Sequence, residues 1–399
     1  MKNKNFKRQL VGQIIPITLA VIFIVFITNF QLVRKGTSPL GAGKASAAAY
    51  VATMLNECAP NGKHETHNGS HMACLEKISA DALSKFELKD VMIAAEKSSV
   101  SSWIANDCHD LAHSIGKMGY KKYQNFPQAV MQCTAYCFYG CFHSVAEEYF
   151  VNKYKNVDGA VKSLKKLLPG DDITNACEQA SHTEMEQGLC YSNLFHGLGH
   201  AYMAISANDV PGSLKLCDES FKGEDTTANV SCYFGVFMIN SRKPLTADIL
   251  DPCDKINKKY QKACYDDKAG SVFTRDVAKN ISICKMFPLE FIENCFSKIS
   301  KKDSTTSRDI NLLTKDCDLL PAKYRNGCVK DTMLDLASRF PNDYKFLMDY
   351  CSAVGVDNRK FCYDQIYLQM KWLHNDANVQ TACGYIQDDK DYAAWCKNY

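Results

Sequence analysis

The chain has 399 residues, 46% hydrophobic and 23% charged, the composition of a globular protein able to bury a large core. Its net charge of +3 removes nucleic acid and acidic substrates from the expected partners. Twenty cysteines, an even number at regular spacing, point to a disulfide framework built in an oxidising compartment.

The first element fits that compartment. Lys2, Lys4, Lys7 and Arg8 precede an apolar stretch over 11–33, broken by Gln13, Pro16 and Asn29. Its length suits one membrane-spanning helix, with the basic flank on the cytoplasmic side. A cleaved signal peptide is the rival, since Ala45, Ser46 and Ala47 follow, far beyond the apolar run. On either reading the chain from 36 onward is extracytoplasmic. Residues 1–35 are thus read as tail and anchor, 36–50 as a linker, 51–245 as a histidine-rich helical part and 246–399 as a second helical part. Three sequons, at Asn68, Asn229 and Asn280, would be open to glycosylation.

Cysteine spacing organises everything beyond. Cys253/Cys264, Cys284/Cys295, Cys317/Cys328 and Cys351/Cys362 each enclose ten residues, and Cys383/Cys396 and Cys177/Cys190 enclose twelve. Cys217/Cys232 enclose fourteen and Cys58/Cys74 fifteen. From Cys217 the first cysteine recurs every 31–36 residues, the period of stacked helix pairs. A short helix should end near Cys317, and Pro321 and Pro288 should open the longer helices that follow, because proline lacks only an N–H unpaired there anyway. A loop of this size, cross-linked, contributes about 3 kcal/mol in the chain-entropy model. The class is all-α: an α-solenoid-like array of disulfide-stapled hairpins. Cys108, Cys133, Cys137 and Cys141 allow three connectivities. The favoured one is Cys133–Cys137 with Cys108–Cys141.

Within 51–245, three segments hold ligand-type side chains four residues apart: His109 and His113, His143 and Glu147, His196 and His200. Residues so spaced share one helical face. Counted six and ten from Cys137 and from Cys190, the last two pairs fall in the same register, and the first joins them if Trp103 replaces a cysteine. The next unit carries Met238 and Arg242 there instead. The bland reading is three polar faces that happen to bear histidine. The metal reading has five imidazoles and one carboxylate converging from neighbouring helices. Gly197 and Gly199 each cost up to about 1 kcal/mol in a helix and so imply a close neighbour, a ligand or a kink.

Imidazole with carboxylate suits iron, zinc, copper or nickel. The spacing HxxxH, HxxxE, HxxxH resembles the ligand pattern of hemerythrin-type di-iron bundles. That resemblance implies a dinuclear, oxygen-interacting centre and ranks iron above zinc and copper. It covers six positions, and this chain departs from it in its cysteine repeat and in lacking the extra aspartate. HDLAH resembles the zinc-peptidase HExxH helix, with aspartate where the general base should be. Asp110, Glu148, Glu184 and Glu186 are nearby candidates for supporting roles, and His64, His67 and His71 lie in a loop expected to be solvated. Two functions follow. One is a membrane-anchored metalloprotein, as an enzyme a metal-dependent oxidoreductase. The other is a helical scaffold or envelope assembly factor with a structural metal site or none. The C-terminal units fit a protein-docking surface in both.

Overall fold

The computed structural model describes residues 40–59, 69–98, 104, 107–154, 169–181, 184–220, 226–241, 250–300, 307–340, 343–372 and 383–384. The expected anchor, His64, His67, His374, Asn68 and Cys396 lie outside them. Among the described residues there are seventeen helices and no strand, and no helix is long and apolar enough to cross a membrane. Ala47–Tyr399 form one compact unit. Of Met1–Ser46, the described residues are the opening turns of the first helix, which begins at Leu40, inside the segment read as a linker.

The helices are α1 (Leu40–Glu57), α2 (Gly69–Lys85), α3 (Leu88–Ser98), α4 (Cys108–Tyr123), α5 (Phe126–Gln132) and α6 (Tyr136–Tyr154). There follow α7 (Pro169–Ala180), α8 (Glu184–Ile205), α9 (Val210–Glu219), α10 (Thr226–Ser241), α11 (Lys258–Ser271) and α12 (Val277–Cys284). The last five are α13 (Leu289–Ser297), α14 (Ile310–Asp318), α15 (Ala322–Arg339), α16 (Tyr344–Ala353) and α17 (Val356–Trp372).

Local chemistry sets many of the boundaries. Asp276, Asp309 and Asp343 accept backbone N–H bonds at the heads of α12, α14 and α16, and Asn125 does so for α5. Each such cap contributes about 1 kcal/mol. Pro288 and Pro321 stand at the N-caps of α13 and α15, one residue before the expected position. Disulfides then tie the end of one helix to the helix that follows it. Cys177–Cys190, Cys217–Cys232, Cys284–Cys295, Cys317–Cys328 and Cys351–Cys362 all do this, with Cα separations of 5.5–5.9 Å. Cys58–Cys74 and Cys253–Cys264 form as expected, and Cys383 is also disulfide-bonded.

The four remaining cysteines pair differently from the favoured scheme: Cys108 with Cys137, and Cys133 with Cys141. The reason is a left-handed turn at the head of α6, where Cys137, Phe138 and Tyr139 have φ of 48°, 58° and 57°. The turn carries Cys137 over to the first residue of α4. Cys141, one helical turn later, is left opposite Cys133 at the end of α5. The hairpin staple is therefore Cys133–Cys141, and the count of six and ten residues from Cys137 started from the wrong cysteine.

Long helices pack side by side in chain order: α2 on α4, α4 on α6, α6 on α8, α8 on α10, then α11, α13, α15 and α17. The succession also returns on itself, because α15 packs against α6. Ser338 Oγ accepts the Phe138 N–H at 2.7 Å, and the Arg339 guanidinium lies 5.4 Å from the Phe138 ring. Arg339 is buried and bonded to buried Asp335 at 2.9 Å.

The sequon at Asn280 is not open to glycosylation in the folded chain. Asn280 is fully buried, and its amide bonds both the N–H and the C=O of Thr274. Asn229 is half-buried.

One polar junction has a pH consequence. Asp218 on α9 accepts bonds from Tyr233 on α10 and from Lys259 and Tyr260 on α11. Burial alone would raise its carboxyl, but the bonds from Lys259, Tyr233 and Tyr260 outweigh this and hold it below the usual carboxylate range. A depressed carboxylate adds stability above its unfolded pKa and loses it as pH falls through the folded value. Asp218→Asn is expected to cost about 1 kcal/mol at neutral pH, after allowance for solvent screening, and almost nothing in strong acid. Denaturant titrations of both proteins on either side of pH 4 check this; an equal difference at every pH would refute it.

Candidate metal centre

Three packed helices carry the three spaced pairs. His109 and His113 stand on α4, His143 and Glu147 on α6, His196 and His200 on α8. Because α6 lies between the other two, faces four residues long meet across both seams. Helix axes normally stand about 8–10 Å apart. Here glycines allow backbone to approach backbone. A Cβ on Gly197 would fall within 3.0 Å of the His143 carbonyl and of the Ala146 methyl. One on Gly199 would fall within 3.0 Å of the Cys232 carbonyl oxygen and the Val236 nitrogen. The two glycines therefore serve close approach of α8 to α6 on one side and to α10 on the other.

The imidazoles converge. Ring centroids of His109 and His113 are 4.5 Å apart, and each is 5.6 Å from His143. His143 stacks on His196 at 4.2 Å, His113 on His200 at 5.5 Å, and His196 meets His200 edge-on at 4.7 Å. Two groups have the spacing to hold a metal ion: His109, His113 and His143, and His113, Glu147 and His200, with ligand atoms within 4.8 Å of one another in each. His113 belongs to both. His113, His143, His196 and His200 are buried, His109 is half-buried, and the Glu147 side chain keeps 35% of its exposure.

Neighbouring groups orient the rings. His109 Nδ1 lies 3.1 Å from the Cys137 carbonyl oxygen. A carbonyl only accepts, so Nδ1 carries the proton and Nε2 presents its lone pair. The carbonyl is held there by the left-handed turn at the head of α6, where each non-glycine residue costs roughly 1–2 kcal/mol. Strain of this kind persists where surrounding structure over-determines it, here through two disulfides and Ser338.

His143 is oriented by a residue that sequence reading missed. Asn193 Nδ2 donates to the Leu189 carbonyl at 2.7 Å, which turns its Oδ1 toward His143 Nε2, also at 2.7 Å. Nε2 must then donate, and the lone pair lies on Nδ1, which is buried without a hydrogen-bond partner. Burial, and then the neighbouring His109 and His200, push the His143 pKa well below the ordinary histidine value. A neutral imidazole with an inward lone pair is the ligating form. His200 Nδ1 faces Glu147 Oε2 at 3.3 Å.

The other acidic candidates divide. Asp110 is buried on α4 next to His109, whereas Glu148 turns away to Lys121 at 3.7 Å. The side chains of Glu184 and Glu186 are outside the described residues. His71 is not in a solvated loop: it lies on α2, nearly buried, 3.5 Å from Asp107.

This arrangement has the spacing to hold a metal ion in a site largely shielded from water, with Glu147 at its accessible edge. Comparison with protein-family models, curated proteins and solved structures finds no match, so the residues themselves carry the functional reading.

Proposed function

We propose that this protein is a membrane-anchored, extracytoplasmic metalloprotein whose histidine cluster holds two transition-metal ions and serves redox or oxygen chemistry. The observation that carries the reading is the pair of three-ligand groups meeting at His113. His109, His113, His143, His196 and His200 would hold the ions between them. Glu147, the one carboxylate in either group, would bridge them. Six protein ligands shared by two ions leave coordination positions open, and such positions bind oxygen or a small oxidisable molecule. His109 and His143 reach the ions already fixed in tautomer, so little reorganisation accompanies binding or a change of charge.

The basic flank and apolar run over 11–33 support the anchor. The many disulfides support an oxidising compartment. Met286, Leu289, Leu319 and Val356 are exposed at turns between paired helices, which supports a protein partner for the C-terminal half.

The burial of four of the histidines favours a second reading, a closed structural site in a helical scaffold. Elemental analysis of the purified protein, with thermal unfolding, separates the two. The proposal expects two ions per chain in the native protein. It expects one ion in Glu147→Ala, with the disulfide-held fold nearly as stable. A single zinc whose removal unfolds the chain would establish the scaffold instead.

A further inference from the structure

Met238 on α10 stands six residues after Cys232, as His196 on α8 stands six after Cys190. Its Sδ lies 3.2 Å from His196 Nε2, and that nitrogen lies 3.0 Å from His200 Nε2. Gly235 makes the approach possible, since a Cβ there would fall within 3.0 Å of the His196 carbonyl oxygen. Glu147 settles the tautomer of His200. An ionised carboxylate only accepts, so in the neutral ring Nδ1 carries the proton and Nε2 is a lone pair. The thioether sulfur is itself a weak acceptor. One proton on His196 Nε2 could satisfy only one of these two neighbours, whereas a cation satisfies all three atoms together. The Phe234 ring, 5.2 Å from that of His196, gives the place an apolar wall.

We propose that His196, His200 and Met238 form a cuprous-ion site at the α8–α10 end of the cluster. Two imidazoles and a thioether are a soft donor set, which selects copper(I) over ferrous iron and over the oxygen-seeking divalent ions. The site rests on the metal-binding reading of the cluster, and it adds a ligand type and an ion class that the six-residue set lacks.

The test is titration of purified full-length protein with copper(I), in the presence of a competing cuprous chelator and without oxygen, together with copper X-ray absorption. One tightly held cuprous ion with both nitrogen and sulfur neighbours is expected. Met238→Leu conserves volume and should keep the fold, which circular dichroism monitors. It should lose the sulfur signal and bind copper(I) at least about tenfold more weakly, the lower end for a lost supporting contact at a metal. Its iron or zinc content as purified should stay that of the wild type. A wild-type spectrum without sulfur, or a Met238→Leu protein equal to wild type, overturns the site and leaves the contact as an N–H···S hydrogen bond. Failure of the two-ion reading would appear separately, as purified protein empty of iron, zinc and other divalent ions.

Discussion

Substituting His113 by alanine is expected to empty the proposed two-ion centre, with apparent affinity reduced more than about 100-fold, beyond the range seen for merely supporting residues. His113 is the one side chain common to both groups of three, and it packs against His109, His143 and His200 at once. Its loss leaves two ligands in each group, too few for a first-row ion to outlast dialysis. His196→Ala removes a ring outside both groups, and its iron or zinc content is expected to fall by one ion at most. Both proteins should fold, since the hairpin staples and the glycine crossings of α8 with α6 and α10 do not involve the imidazoles. Elemental analysis after dialysis, with circular dichroism as the fold control, gives the result. A His113→Ala protein that keeps two ions would sink the shared-ligand reading.

Gly197→Ala is expected to destabilise the protein by roughly 2–3 kcal/mol, the upper part of the range for overpacking. The added methyl would meet the His143 carbonyl carbon and oxygen and the Ala146 Cβ. Two of these are backbone atoms of α6, which cannot swing aside as a long side chain can. Relief requires α8 to move out from α6, and that separates His196 and His200 from His143. Metal affinity should therefore fall together with stability. Gly188→Ala on the same helix is the control. That glycine is exposed and nothing would come within 4 Å of its Cβ. Alanine there should stabilise by about 0.5–1 kcal/mol through helix propensity alone. Denaturant unfolding of the two variants decides: shifts of the same sign would contradict the packing account.

Much of the architecture is local information and was legible in the chain. Cysteines that enclose ten to fifteen residues can be bridged only if the intervening segment turns back, so most hairpins follow from spacing. Aspartates and prolines at the heads of α12 to α16 mark helix starts by satisfying or lacking a backbone donor. The three ligand pairs are legible for the same reason, since residues four apart must share a helical face whatever the rest of the chain does. Even the two glycines of α8 advertise a close neighbour through their cost.

What the tertiary structure decided depends on contacts between segments far apart in sequence. The pairing of Cys108 with Cys137 follows from a left-handed turn at three residues, none of them glycine, and no local propensity announces such a turn. It is held from outside, by Ser338 some 200 residues away, where α15 returns to pack on α6. Helices without a single ligand thus set the carbonyl that orients His109. Asn193 escaped notice in the same way, and Met238, though seen in the ligand register, showed no sign of its contact with His196. One orients a ring on another helix and the other touches a ring across a seam, and such contacts exist only once the helices have chosen their neighbours. Spacing along a helix is a property of the chain; which faces meet, and how closely, is a property of its packing.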